Sequence, residues 1–457
     1  MKRLLKITSY TVAMAFFTVA LSGCTLNTAK TVNPRTNKVI VWSFESPYVW
    51  KNIISQFKTD NPGMTIEYDQ QNLDSSYENR VLNSELSGTG PDVWAMPNDW
   101  VYRHKDKLVA MPTTSQADVL GNTFVQSIKQ SVQIGGKVYA LAPSSEPLMI
   151  YYNPALVTKE VNDYESTLTD QAAITSINNM FSPIPKTWTD FASAMKILTK
   201  KSGSTINVAG AALGTDGVSN SQDILYLLML QNQTQILSQD LQLATFSLPS
   251  STSADATNIP GQKALDFYTS FANPTSPNYA WSDSLGNDVD AFVNGKVAMI
   301  FGYSRLQDTL AQKYPEFKGF NKAYVPQLNT QPDKIVDYAT FYAFGVSNVA
   351  PNSTAAWKLV QSLATTYSGD YDSASRVASS ALNGSNPTIS MDLRGDNNPE
   401  NYELLTAKSF MKGRYPEDFD ANIRNAIRSV NKGMLDSKSA LNLAADSITQ
   451  LLRKTTW

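Results

Sequence analysis

In this chain of 457 residues, Phe44-Glu45 and Asp99-Trp100 each set an aromatic ring directly beside a planar acid just after an apolar run. A carboxylate accepts two hydrogen bonds from neighbouring hydroxyls and an aromatic face covers flat C–H surface. Such a pair therefore suits a ligand that offers both hydrogen-bond donors and a flat apolar face. Position supports that chemistry. Val39-Ile40-Val41-Trp42 and Asp92-Val93-Trp94-Ala95-Met96 have the short apolar character of buried parallel strands, and Phe44-Glu45 and Asn98-Asp99-Trp100 follow them directly. Ligands of parallel α/β sheets bind beyond the carboxyl ends of the strands. The structural alternative is a loop carboxylate that caps the next helix beside a core tryptophan.

Other chemistry has little to work with. The single histidine, His104, stands between Arg103 and Lys105 in what reads as a solvated setting, so a Ser-His-Asp triad or a histidine-based zinc site has no support. No phosphate-cradling Gly-Lys-Thr loop occurs. No cofactor, no metal and no catalytic residue is expected, although paired carboxylates for glycoside hydrolysis stay open, because many Asp and Glu residues could meet in a cleft. The 38 basic and 40 acidic residues leave a net charge of −2, and no basic stripe with interleaved aromatics suggests a nucleic-acid partner. Arg305 leaves room for an anionic group on a ligand, though an arginine opening a helix is ordinarily a surface residue. Trp281 is a further aromatic candidate with no motif behind it.

The elements that must position these residues alternate. Val49, Ile53, Ile54 and Phe57 recur at helical spacing and Asn61-Pro62-Gly63 stops them; Met64, Ile66 and Tyr68 alternate as a strand; Val81, Leu82 and Leu86 mark a second helix ended by Ser87-Gly88-Thr89-Gly90-Pro91. Strand, helix, strand, helix, strand predicts a right-handed parallel α/β unit. The chain is too long for one core, so two lobes are expected. Between Gly136 and Asn153, two β-prone runs flank Pro143-Ser144-Ser145-Glu146-Pro147, which reads as a stiff connector between two bodies. Thr187 followed by Asp190 resembles a capping box opening a helix. Ile224 to Leu230 is core helix, 250–262 a loop, and Phe292 to Phe301 a helix end, an Asn294-Gly295 turn and a buried strand. Tyr338 to Val346 reads as one strand, with Tyr338, Phe341 and Tyr342 as core alongside Tyr151 and Trp94. Pro351 to Thr365 reads as a helix, and two amphipathic helices close the chain, marked by Phe419, Ile423, Ile427 and Val430 and by Leu441, Ala445, Ile448 and Leu452.

The N-terminus reads as an export signal: Lys2, Arg3 and Lys6 precede an apolar run from Tyr10 to Leu21 that is too short to span a bilayer. Leu21-Ser22-Gly23-Cys24 resembles the lipobox of bacterial lipoproteins, which implies cleavage before Cys24 and diacylation (palmitate-type) of that residue. Cys24 is the only cysteine, so no intrachain disulfide stabilises the exported fold. Residues 25–38, rich in Thr, Asn and Lys, read as a flexible tether.

Further strings extend the pattern: Ser87-Gly88-Thr89-Gly90-Pro91-Asp92-Val93, Gly136-Lys137-Val138-Tyr139 with Tyr151-Tyr152-Asn153 behind it, Pro185-Lys186-Thr187-Trp188, and Phe292-Val293-Asn294-Gly295-Lys296-Val297-Ala298-Met299. In this order and spacing behind a lipobox, the chain resembles the extracellular solute-binding proteins of ABC importers, family 1, the maltose-, multiple-sugar- and oligosaccharide-binding group. The resemblance implies an α/β, two-lobe, type II periplasmic-binding-protein-like fold, each lobe a mainly parallel sheet flanked by helices, with several hinge crossings. The implied organisation is a signal peptide over 1–23, a lipidated cysteine and tether over 24–38, lobe 1 over 39–143 and 327–367, and lobe 2 over 144–326 and 368–457. Asp99 falls where relatives hold a carboxylate for sugar hydroxyls, and Glu146 where they hold a hinge carboxylate facing the cleft. Gly302-Tyr303-Ser304 sits where many relatives have a glycine followed closely by a stacking tryptophan, so the platform passes to Tyr303, or to Trp100 and Phe44. Phe419 and Asp420 lie near another position often aromatic in relatives. The implied function is carbohydrate capture by hinge closure and delivery to a membrane permease, by a monomer lipid-anchored on the outer face of the cytoplasmic membrane. A secreted polysaccharide-acting enzyme, a binding protein for a non-sugar solute, and a surface protein serving adhesion or signalling are the alternatives.

Overall fold

The strand Lys38–Ser43 lies parallel to Thr65–Gln70, with Lys38 opposite Thr65 and Ser43 opposite Gln70, and parallel to Val93–Pro97 on its other side. This arrangement belongs to a computed structural model that describes residues 36–113, 123–250, 255–375, 378–379 and 399–454. The signal peptide (1–23), Cys24 and most of the tether lie outside the described residues. Helix Pro47–Asp60 opens on a proline, whose missing N–H costs nothing in the first turn, and buries Val49, Trp50, Ile53 and Phe57 along one stripe. Helix Tyr77–Leu86 ends at Gly88, whose φ of 73° is open to glycine and strained for other residues. Tyr342–Val346 then runs antiparallel to Val93–Pro97, and Ala140–Leu141 closes the five-stranded sheet. The parallel unit expected from the sequence is present, and antiparallel strands from later in the chain complete its sheet.

A second five-stranded sheet orders Asn321–Ala323, Met149–Tyr152, Val297–Gly302, Thr205–Ala211 and Lys200–Ser202. All six residues of Val297–Gly302 are buried, as a central strand covered on both faces requires. Helix Trp188–Leu198 opens on the expected capping box: the Thr187 hydroxyl accepts from the Asp190 N–H at 3.1 Å and donates to Asp190 Oδ2 at 2.8 Å. Helices Pro416–Asn431 and Ser437–Arg453 present Phe419, Ile423, Ile427, Leu441, Ala445 and Ile448 to the core of this second half. The hydrophobic interior is accordingly divided into two clusters, one under each five-stranded sheet.

A third sheet lies between them, ordering Ala378–Ser379, Ser144–Pro147, Asp337–Thr340 and Ala407–Lys408. The Pro-Ser-Ser-Glu-Pro stretch is therefore a strand in its own right. Ser144–Pro147 is fully buried and pairs antiparallel with Asp337–Thr340, Glu146 opposite Thr340. Proline favours extended backbone in the residue before it, and Pro147 ends the strand, where its missing N–H interrupts no ladder. Tyr338 to Val346 is likewise two strands: Asp337–Thr340 joins this linking sheet and Tyr342–Val346 the first. Tyr338 packs in the second core, Ala339 and Phe341 in the first, so the chain changes lobe here. Helix Ser368–Ser375 places Tyr371 in the first core, beyond the Tyr367 expected as the end of that lobe's second segment. Among the described residues, no helix is long and apolar enough to cross a membrane.

Candidate functional site

A cavity of about 360 Å³ opens between the two five-stranded sheets, a size usual for small-molecule sites. Pro97 borders it on the first lobe, Glu146, Thr340, Phe341 and Tyr342 at the back, and Asn220, Gly302, Tyr303 and Arg305 on the second lobe. Arg305 follows strand Val297–Gly302 at the start of helix Leu306–Lys313 and is no ordinary surface arginine. Its backbone N–H donates to Glu146 Oε2 at 3.2 Å and its Nε to Glu146 Oε1. Its Nη1 donates to Glu45 Oε1 at 2.7 Å, and its guanidinium carbon lies 4.3 Å from the centre of the Tyr342 ring. Burial pushes the Glu146 carboxyl above its ordinary range and Arg305 opposes that shift. Burial lowers the Arg305 guanidinium, but Glu146 and then Glu45 outweigh it and hold the group well above its usual value.

A second group of charges adjoins this one. Lys412 Nζ lies 2.8 Å from Asp420 Oδ2 and 3.4 Å from Asp99 Oδ2, over the Tyr226 ring at 5.2 Å. The Tyr226 hydroxyl donates to Asp420 Oδ1 at 2.7 Å, and the Tyr303 hydroxyl to Asp223 Oδ2 at 2.9 Å. Burial raises Asp99, with Lys412 opposing, and pushes Asp223 up to about 6. Asp99 stands at the N-cap of helix Trp100–His104, yet its side chain makes no capping hydrogen bond; it pairs with Lys412 and is not among the residues that line the cavity. Lys412, Asp223 and Tyr226 escaped the sequence analysis. No motif surrounds Lys412, Tyr226 sits in the run Ile224 to Leu230 whose apolar character pointed only to core, and Asp223 directly precedes that run.

The remaining candidates divide. Asn98 is buried and accepts from Thr340 Oγ1 at 2.8 Å, tying the end of Val93–Pro97 to the linking sheet. Trp100 stacks on Tyr77, lies 5.3 Å from the Arg103 guanidinium and donates its indole N–H to Glu417 at 2.8 Å. Phe44 meets Tyr77 and Tyr342 edge-on, so it supports the cavity-lining Tyr342 ring from behind. Ser304 is buried, and the backbone carbonyl of Tyr303 accepts from the Tyr151 hydroxyl at 2.9 Å. Phe419 is a core residue against Phe410 and Tyr226, while its neighbour Asp420 reaches the charged group. Trp281, 1% exposed in the second core, stands apart from both groups. Tyr342, expected in the core, is half-buried and lines the cavity. His104 is not solvated: it is 5% exposed, its ring lies against Trp94 and Trp100, and Nε2 is 3.0 Å from Glu78 Oε1.

The family described as bacterial extracellular solute-binding protein matches residues 52–370. This chain belongs to that family. No curated protein sequence matches this solute-binding protein. Among solved structures, the cyclic α-maltosyl-1,6-maltose binding protein from Arthrobacter globiformis superposes with a TM-score of 0.68 at 16% identity, over 91% of this chain and 99% of that one. The sugar-binding protein MalE from the phytopathogen Xanthomonas citri gives 0.68 at 16%, over 91% and 97%. The GacH receptor of Streptomyces glaucescens, solved unliganded and with acarbose, gives 0.61 at 15%, over 92% and 99%. At these identities the likeness establishes the fold: a two-lobe periplasmic binding protein with mixed α/β sheets flanked by helices. A solute-binding protein of this family is exported.

Proposed function

We propose that this solute-binding protein captures a carbohydrate, a mono- or oligosaccharide, in the cavity between its lobes and delivers it to an ABC permease by hinge closure. The observation that carries this reading is the cavity wall, where the buried acid Glu146 of the linking sheet, the guanidinium of Arg305 from the second lobe and the ring of Tyr342 from the first lobe's sheet line one space. Acceptors and donors for hydroxyls thus stand beside an aromatic surface for C–H faces. Structural neighbours described as maltodextrin-, acarbose- and cyclic-oligosaccharide-binding support the ligand class. Closure follows if a ligand touching both lobes favours the closed state.

The lobe boundaries we propose follow those implied by the sequence, except that the chain re-enters the first lobe at Ala339 rather than at 327, and that helix Ser368–Ser375 and the segment carrying Leu404 and Ala407 pack with that lobe. We also propose that the N-terminal signal, cleavage before Cys24 and diacylation of that residue tether the protein, as a monomer, beside its permease, which raises its local concentration there. The experiment is calorimetric titration of the purified protein with a panel of neutral mono- and oligosaccharides, followed by chromatography of the recovered sugar. Binding with the sugar recovered intact is the expected result. Failure of the whole panel, with an amino acid, peptide or metal binding instead, overturns the carbohydrate assignment, and released products would favour a polysaccharide-acting enzyme.

A further inference from the structure

One guanidinium joins three parts of the fold: Arg305 comes from the second lobe, Glu146 from the linking sheet and Glu45 from the loop after the first strand of the first lobe. Each end of the cross-lobe bond is held independently of the other. On one side, Arg305 is fixed through its backbone N–H and Nε to Glu146 of the linking sheet; the Tyr342 ring it lies over stands on the first lobe's sheet and is a second contact across the lobes. On the other, Glu45 Oε1 accepts from the Tyr371 hydroxyl at 3.2 Å, and the Glu45 backbone carbonyl accepts from the Tyr68 hydroxyl. Tyr68 and Tyr371 both belong to the first lobe. When two partners are already oriented, little side-chain entropy is lost as they meet, so more of the interaction favours the docked state.

We infer that the Arg305–Glu45 pair is a closure clamp: it forms when the lobes close and is absent when they part. Glu45 is then a positioning residue, which sets ligand affinity through the closed fraction. Apparent affinity is the intrinsic affinity scaled by the population of the competent state. The pair is partly screened from water, with the Glu45 side chain 11% and the Arg305 side chain 30% exposed, so dissolved salt weakens it without abolishing it. A neutral sugar carries no charge of its own. Any salt dependence of its affinity therefore reports charges within the protein that meet on closure.

This inference rests on the proposed sugar-binding function. The test compares the wild-type protein with Glu45→Gln, and with Tyr371→Phe as a milder variant. Affinity for a neutral sugar bound by the wild type is measured at low salt and at about 0.5 M salt. Glu45→Gln should weaken binding about three- to tenfold at low salt and show a smaller salt slope than wild type. Tyr371→Phe should fall between. Small-angle scattering on the ligand-free proteins should show Glu45→Gln more open, and wild type opening as salt rises. Equal salt slopes in the wild type and Glu45→Gln, with equal ligand-free scattering profiles, overturn the clamp. If no sugar binds the wild type, the functional reading fails, and the scattering comparison alone still decides the clamp.

Discussion

At the scale of single residues, Lys412 is the side chain on which most depends. It is 7% exposed and lies against Asp99 and Asp420, with Asp223 close by. Removing one member of a buried ion pair leaves its partners charged and unsolvated. Lys412→Met is therefore expected to destabilise the fold by about 3 kcal/mol at neutral pH, measured by urea denaturation. The loss should shrink in acid, and the sign follows from Asp223. Its folded pKa is raised from 3.8 to about 6, so stability linked to its protonation is complete below about pH 4 and is lost as pH rises through 6. Without Lys412, the carboxylates can take up protons in place of the missing cation. A loss that is equal at pH 5 and pH 8 would contradict this account. Asp99 and Glu146 could be singled out in the sequence, since they follow a strand end and occupy a proline-bounded run. Their cationic partners could not be paired with them, because Arg305 lies 159 residues beyond Glu146, and no local pattern records such a separation.

At the scale of elements, local chemistry was the most legible. The capping box at Thr187 and Asp190, the glycine-ended helix at Gly88 and the buried strand at Val297 all form as their short-range patterns dictate. Thr187→Ala should accordingly cost about 1 kcal/mol of stability, measured by chemical denaturation, with sugar affinity unchanged. A larger effect on binding would mean that this helix start, which also bridges to Gln327, transmits to the cleft. Ser144–Pro147 and Asp337–Thr340 were not legible as strands of a shared sheet. Short extended segments look alike whether they pair or merely connect, and partners as far apart in the chain as Glu146 and Thr340 are settled only when both lobes have folded.

At the scale of the whole molecule, contacts beyond the cavity also join the lobes. Arg103 of the first lobe donates to the Arg414 carbonyl at 2.8 Å and pairs with Glu417, and Arg414 pairs with Asp106 at 3.0 Å. These are exposed pairs worth little individually. Trp100 belongs to this set through Glu417, which explains why an aromatic residue at a strand's carboxyl end does not line the cavity described here. The proposed tether carries its own prediction: Cys24→Ser should release the protein into the soluble fraction, read by membrane fractionation, while the purified protein keeps its sugar affinity. The sequence by itself determined the α/β character, the family and the strand ends around which a site could form, because hydrophobic period and turn residues are written locally. Only the tertiary structure decided which charges meet across the lobes, that the proline-bounded stretch is a strand of the linking sheet, and that Arg305 joins Glu146 to Glu45. Those outcomes depend on segments brought together by packing, and electrostatic pairing of this kind leaves no periodic trace in the chain.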